Sequence, residues 1–138
     1  MFWAKRILVP IDFSPCSQLA LRYALTLSQR FGSTVDVVHV KEHVGDEAAA
    51  AINDLINENV GAALRDEFGD VRFQLVSGSP AETIVRLALN GHYDLIAIGQ
   101  YGSSGRSIGR VTRDVSHLAP CHVVPVWEPA SNASNFLN

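Results

Sequence analysis

The chain has 138 residues, 47% of them hydrophobic and 18% charged, which fits one compact domain and argues against disorder. Its formal net charge of −3 argues against a general nucleic-acid binder, which needs a basic surface, although Arg106, Arg110 and Arg113 form one local basic cluster. No run approaches the ~20 apolar residues that span a bilayer, and the two cysteines, Cys16 and Cys121, lie in neither C-x-x-C nor metal-type spacing, as in a reduced cytosolic protein.

Met1 to Arg6 lead only into Ile7-Leu8-Val9-Pro10, too short an apolar run for a signal-peptide core, so the expected location is the cytoplasm. Lys5–Ile11 reads as a strand that stops at Asp12-Phe13-Ser14-Pro15, where Ser14 suits an N-cap and Pro15 the first helical position. Leu19, Ala20, Tyr23, Ala24 and Leu27 then share one helical face, and Phe31-Gly32 closes the helix. Thr34–Val40 is rich in β-branched residues and reads as the second strand. Asp46–Phe68 follows as a long helical pattern with Ile52, Leu55, Ile56, Ala63 and Leu64 on its buried side and Gly61 as a weak point.

Val71–Val76 gives a third strand, and Gly78-Ser79-Pro80 a sharp turn into a helix over Ala81–Leu89 that stops at Asn90-Gly91. Tyr93–Ile98 is a fourth strand, Gly109–Leu118 a helix and Cys121–Trp127 a fifth strand. Residues 1–127 are expected to form the domain, and 128–138 a polar, flexible C-terminal tail. Strands alternating with helices predict an α/β fold with an open five-stranded parallel sheet, and the apolar second and fourth strands predict burial on both faces.

In such sheets ligands bind beyond the carboxyl ends of the strands, where the strand order reverses. That rule brings Asp12, after the first strand, together with the run Asp94-Leu95-Ile96-Ala97-Ile98-Gly99-Gln100-Tyr101-Gly102. Apolar residues deliver the backbone into two glycines, then into a small-residue loop from Ser103 to Gly109, then into a helix start at Arg110. A strand, a glycine loop and a helix N-terminus present backbone N–H groups and a positive dipole end to an anion. Phosphate, and so a nucleotide, is the ligand this pattern suggests; an ordinary strand-to-helix turn is the alternative for a lone G-x-x-G.

Over residues 4–127 the chain resembles the universal stress proteins. The resemblance is carried by Ile7 to Ser14, Val38-His39-Val40, Gly78-Ser79-Pro80-Ala81-Glu82, Tyr93 to Gly99 and Leu118-Ala119-Pro120-Cys121-His122-Val123, in order and at the expected separations. It implies a Rossmann-like sheet of the adenine nucleotide alpha hydrolase type, of order 3-2-1-4-5 with helices on both faces. It further implies a homodimer joined through Cys121–Trp127, and ATP, AMP or another adenine nucleotide, with or without Mg²⁺, as ligand. ATP-binding members resemble one another in a loop G-x-x-G, nine residues, then G-[S/T]. This chain keeps Gly99-Gln100-Tyr101-Gly102, but six residues separate Gly102 from Gly109, and Arg110 stands at the hydroxyl position. Both departures fall on the phosphate side.

Carried over residue by residue, the resemblance makes Asp12 an acceptor for the adenine amino group, against the alternative of a turn carboxylate ahead of Ser14. Pro10, Ile11 and the backbone of Val40 would border the base, and Ile98, Gly99, Tyr101, Gly102, Gly109 and Val111 would line the ligand. Ser103 and Thr112 offer hydroxyls, with loop and cap roles equally good explanations. Arg110 and Arg106 could hold phosphate oxygens by charge-assisted bonds, or simply be solvated. His39 reads as a satisfied core histidine, and His117 and His122 lack a third zinc ligand.

The chain has neither a G-x-S-x-G elbow nor a Walker A lysine, so no catalytic residues are expected. Three functions stay open at this point. They are a nucleotide-regulated stress-response dimer, a nucleotide-free interaction dimer that engages a client protein, and, weakest, a small nucleotide-hydrolysing enzyme.

Overall fold

The computed structural model describes residues 4–42, 71–101 and 109–127, and between them Glu47, Ala50, Ala51 and Asp54, all four helical. The rest of the Asp46–Phe68 pattern, the tail 128–138 and the loop residues Gly102, Ser103 and Arg106 lie outside the described residues.

The elements are β1 (Arg6–Pro10), α1 (Pro15–Phe31), β2 (Thr34–Lys41), β3 (Val71–Ser77), α2 (Pro80–Asn90), β4 (Leu95–Gly99), α3 (Arg110–Leu118) and β5 (His122–Val126). The strands form one parallel sheet in the order β3-β2-β1-β4-β5. Parallel strands need crossover connections, and right-handed crossovers running opposite ways from β1 put the helices on opposite faces. α1 covers Ile7, Val9, Val35, Val37 and Ala97 on one face. Ile84 and Ala88 of α2 and Val115 of α3 cover Leu8, Val38, Ile96 and Ile98 on the other. β4 is buried at every position, as a strand with helices on both sides must be.

Local chemistry sets the helix ends. The Ser17 N–H donates to Ser14 Oγ at 3.3 Å, Pro15 fills the first helical turn, and Gly32 ends α1 in the left-handed region at φ 72°. The face of α1 differs from the periodicity reading. Tyr23 is exposed, and the buried stripe is Cys16, Ser17, Ala20, Ala24, Leu25 and Ser28. Most of that stripe consists of small residues because α1 lies so close to the sheet that β4 backbone meets its first turn (below). Large side chains at 19, 23 and 27 are accommodated only at its flanks.

A charged cluster sits at the strand starts, the end of the sheet away from the predicted ligand side. Asp36, only 7% exposed on β2, faces Arg72 across the register, with Nε–Oδ1 at 2.9 Å and Nη2–Oδ2 at 3.3 Å. Arg6 reaches the same carboxylate at 3.3 Å, and the Tyr93 hydroxyl donates to it. The Arg6 guanidinium also lies 4.5 Å from the centre of the Tyr93 ring and donates to the Gly91 carbonyl. Asp94 accepts the Lys5 and Arg6 N–H groups, each at 2.9 Å, and so ties β1 to the start of β4. A buried carboxylate with this many donors is satisfied rather than reactive.

Candidate functional site

The strand order reverses at β1, which has β2 on one side and β4 on the other. Leaving β1, the Ile11 N–H donates to the Val38 carbonyl at 2.8 Å, and the Ile11 carbonyl lies 2.7 Å from Nδ1 of His39. A carbonyl only accepts, so Nδ1 is the donor in this contact. His39 is thus the satisfied histidine that the strand pattern predicted.

Asp12 is exposed, and its Oδ1 accepts the Ser14 N–H at 3.0 Å. The turn carboxylate and the ligand carboxylate are therefore compatible readings: one oxygen shapes the turn. Between them Phe13 takes φ 67°, unusual for a side chain of its size, and its ring stands 4.8 Å from that of His39 at 54°. Strained backbone of this kind concentrates at binding sites. Sequence reasoning passed over Phe13; the signal was its place between a candidate ligand residue and a Ser-Pro helix start.

Beyond β4 the backbone turns away at Gln100 and returns at Gly109, whose N–H donates to the Gln100 carbonyl at 2.7 Å. Thr112, buried on α3, donates its hydroxyl to the Gly99 carbonyl at 2.6 Å. These two bonds hold the N-terminus of α3 on the end of β4. The first N–H groups of a helix have no partner within it, and Gly109 has no side chain to cap them. The first turn of α3 contains no acidic residue and carries the exposed Arg110. That combination favours an anion.

The structure thereby divides the predicted residues. Asp12 follows the end of β1, the strand at which the order reverses. Val40, Ile98 and Val111 share the packing layer of α2 and α3, whereas Ile11 points into the α1 layer. Pro10 is buried at the end of β1 and Tyr101 is half-buried just past β4. Gly99 has a packing reason for lacking a side chain: a Cβ there would stand 2.8 Å from the Cys16 carbonyl carbon and from the Ser17 nitrogen. The Thr112 hydroxyl is likewise engaged in holding the turn. Among the described residues no group of three His, Cys, Asp or Glu side chains is placed to hold a metal ion.

A parallel sheet wound in both directions from β1, with a carboxylate turn after β1 and a helix N-terminus without a side-chain cap among the described residues after β4, defines a doubly wound α/β protein. The family model described as the universal stress protein family matches residues 4–126. Universal stress protein A homolog 1 of Coxiella burnetii is 30% identical over 138 residues, covering 89% of this chain and 96% of that protein. Among solved structures, a universal stress protein in complex with cAMP is 21% identical with a TM-score of 0.70, covering 89% of this chain and 96% of the other. One from Archaeoglobus fulgidus in complex with dAMP is 23% identical with a TM-score of 0.68, covering 91% and 99%. The chain belongs to the universal stress protein family.

Proposed function

We propose that the chain is a cytoplasmic stress-response regulatory protein that binds an adenine nucleotide, ATP with or without Mg²⁺, as a homodimer and without catalysis. The observation that carries this reading is the uncapped N-terminus of α3, held on the end of β4 by the Gly109–Gln100 and Thr112–Gly99 hydrogen bonds, with Arg110 in its first turn. The nucleotide's phosphates would lie against Gly109 to Thr112, with Arg110 as their cation. The base would lie toward Pro10, Asp12 and Val40. Gly102 and Ser103 belong to the proposed phosphate loop on the strength of the sequence. Support also comes from the relatives solved with cAMP and dAMP.

Calorimetric titration of nucleotide-free protein with ATP, ADP, AMP and cAMP, with and without Mg²⁺, tests the proposal; silence with all four sinks it. Multiple-turnover hydrolysis would overturn the non-catalytic part. Arg110→Ala should weaken ATP by about 1.5–3 kcal/mol, a charged hydrogen bond's worth, and AMP by much less, because the longer phosphate chain needs the cation. Equal losses for both nucleotides would show that Arg110 does not read phosphate.

The second reading, a nucleotide-free dimer that engages a client protein, is favoured by Gly99, whose bareness packing against α1 already explains. It is favoured too by the six residues between Gly102 and Gly109 where the family loop has nine. Nucleotide released on denaturing freshly purified protein would reject it.

Dimerisation is assigned to the edge strand β5 in either reading. The Val126 carbonyl accepts from Gln100 on the β4 side, and successive residues of a strand point alternately to its two neighbours, so Pro125 turns toward the free edge. Its missing N–H therefore costs the β4 ladder nothing and removes one donor from the edge, leaving Val123 as the outward donor within β5. Light scattering at micromolar concentration should give a two-chain mass; a one-chain mass would dismiss the dimer.

A further inference from the structure

The turn that carries Asp12 is anchored on both sides. Ahead of it, the Ile11 N–H donates to the Val38 carbonyl at 2.8 Å and the Ile11 carbonyl accepts from His39 Nδ1 at 2.7 Å, so β2 holds the residue before Asp12. On the other side, Ser17 Oγ accepts the Asp12 N–H at 3.4 Å and donates to the Ser14 carbonyl at 2.9 Å, so the first turn of α1 holds the chain there. Phe13 joins the two anchors at φ 67°. Glycine enters the left-handed region freely, whereas a benzyl side chain there needs a compensating contact. The contact present is the His39 ring, 4.8 Å away and tilted by 54°, a spacing at which aromatic rings attract. Burial in the core is not the compensation, because Phe13 remains 37% exposed.

We infer that Phe13, braced by His39, is the positioning residue that aims the Asp12 carboxylate at the base; this rests on the nucleotide reading above. With Phe13 in this conformation the Ser14 N–H turns back onto Asp12 Oδ1 at 3.0 Å. One oxygen is thereby fixed by the turn, and Oδ2 of an exposed side chain is left to accept from a ligand. An ionised carboxylate only accepts, so what it selects is a ring with an N–H donor, such as the 6-amino group of adenine. Without the ring contact, residue 13 relaxes to negative φ, the Ser14 N–H leaves Oδ1, and the carboxylate rotates in water. The contact with the amino group then bears the cost of ordering a side chain that the brace had already ordered. The pair of rings lies between β2 and the turn after β1, so its influence falls on recognition of the base rather than of the phosphates at α3.

Calorimetric titration of the full chain with AMP and with purine riboside 5′-monophosphate, which differs only in lacking the 6-amino group, tests the inference. The unaltered protein should favour AMP by about ten-fold or more, as a hydrogen bond to a charged group does, and Asp12→Ala should abolish the preference. Phe13→Tyr keeps the ring and should keep the preference. Phe13→Ala should cut it several-fold, with binding of the deamino nucleotide and the circular dichroism spectrum unchanged. Phe13→Gly, which permits φ 67° without enforcing it, should fall between the two. Adding His39→Ala to Phe13→Ala should lower the preference no further, because the brace has already gone. A preference that is absent from the unaltered chain, or that Phe13→Ala leaves intact, overturns the inference while nucleotide binding stands. So does an equal loss for both nucleotides, which would make Phe13 a stacking surface for the base. No binding of either nucleotide by the unaltered chain overturns the nucleotide reading and the inference with it.

Discussion

Gly99→Val will cost the protein about 3 kcal/mol or more of stability, and Gly99→Ala about 1–3 kcal/mol, read as a lower urea midpoint at unchanged slope. The new Cβ would stand 2.8 Å from the Cys16 carbonyl carbon, 2.8 Å from the Ser17 nitrogen and 3.0 Å from the Cys16 Cβ. Two of those three atoms are backbone of the first turn of α1, whose position is fixed by the Ser14 cap and by burial of Ala20 and Ala24, so no rotamer change relieves the contact. An unchanged midpoint for Gly99→Ala would mean that Gly99 faces open space and is available to a ligand. The result therefore bears on function, because it decides whether the first glycine of the loop serves the fold or the phosphate.

Asp36→Ala should lower stability by about 2–3 kcal/mol. Removing one partner of a buried pair leaves the others uncompensated, at about 3–5 kcal/mol when all are buried. Here the Arg6 and Arg72 side chains are 38% and 61% exposed and recover hydration, which reduces the loss. The change also has a pH signature. The Tyr93 hydroxyl is pushed up to about 12, mainly by burial, then by its hydrogen bond to Asp36 and by the Asp36 charge. A group whose folded value lies above its unfolded one favours the folded state while protonated. Tyr93 thus contributes stability that is fully present below pH 10 and is lost as pH rises toward 12. Asp36→Ala removes two of the causes, so the stability lost over that window should shrink relative to wild type, and Tyr93→Phe should abolish the Tyr93 share. A window of equal depth in wild type and Asp36→Ala would show that burial alone sets the shift.

The elements themselves were legible in the residues. Every strand and helix predicted within the described residues is present, with ends displaced by one or two positions; β4, for instance, runs over Leu95–Gly99 where Tyr93–Ile98 was expected. Those signals are local: β-branched runs, Ser14-Pro15, Phe31-Gly32 and Gly78-Ser79-Pro80 act on their own neighbours in the chain. The side of α1 that is buried was not legible. Its apolar pattern admits two overlapping faces, and the choice of Ala20, Ala24 and Leu25 over Tyr23 is made by the closeness of β4.

By itself the sequence determined the alternation of strands and helices, the family through its ordered motifs, and the candidacy of Asp12, Gly99 and Gly109 as residues at strand and helix ends. Only the tertiary structure decided that Gly99 packs against Cys16 and Ser17, that the Thr112 hydroxyl is engaged by the Gly99 carbonyl, and that Asp36 joins Arg6, Arg72 and Tyr93. The physical reason is separation along the chain. A cap or a turn is settled by residues within four positions of one another, whereas the partners of Asp36 stand 30, 36 and 57 positions away, and nothing in their local sequence marks them as neighbours until the sheet register brings them together.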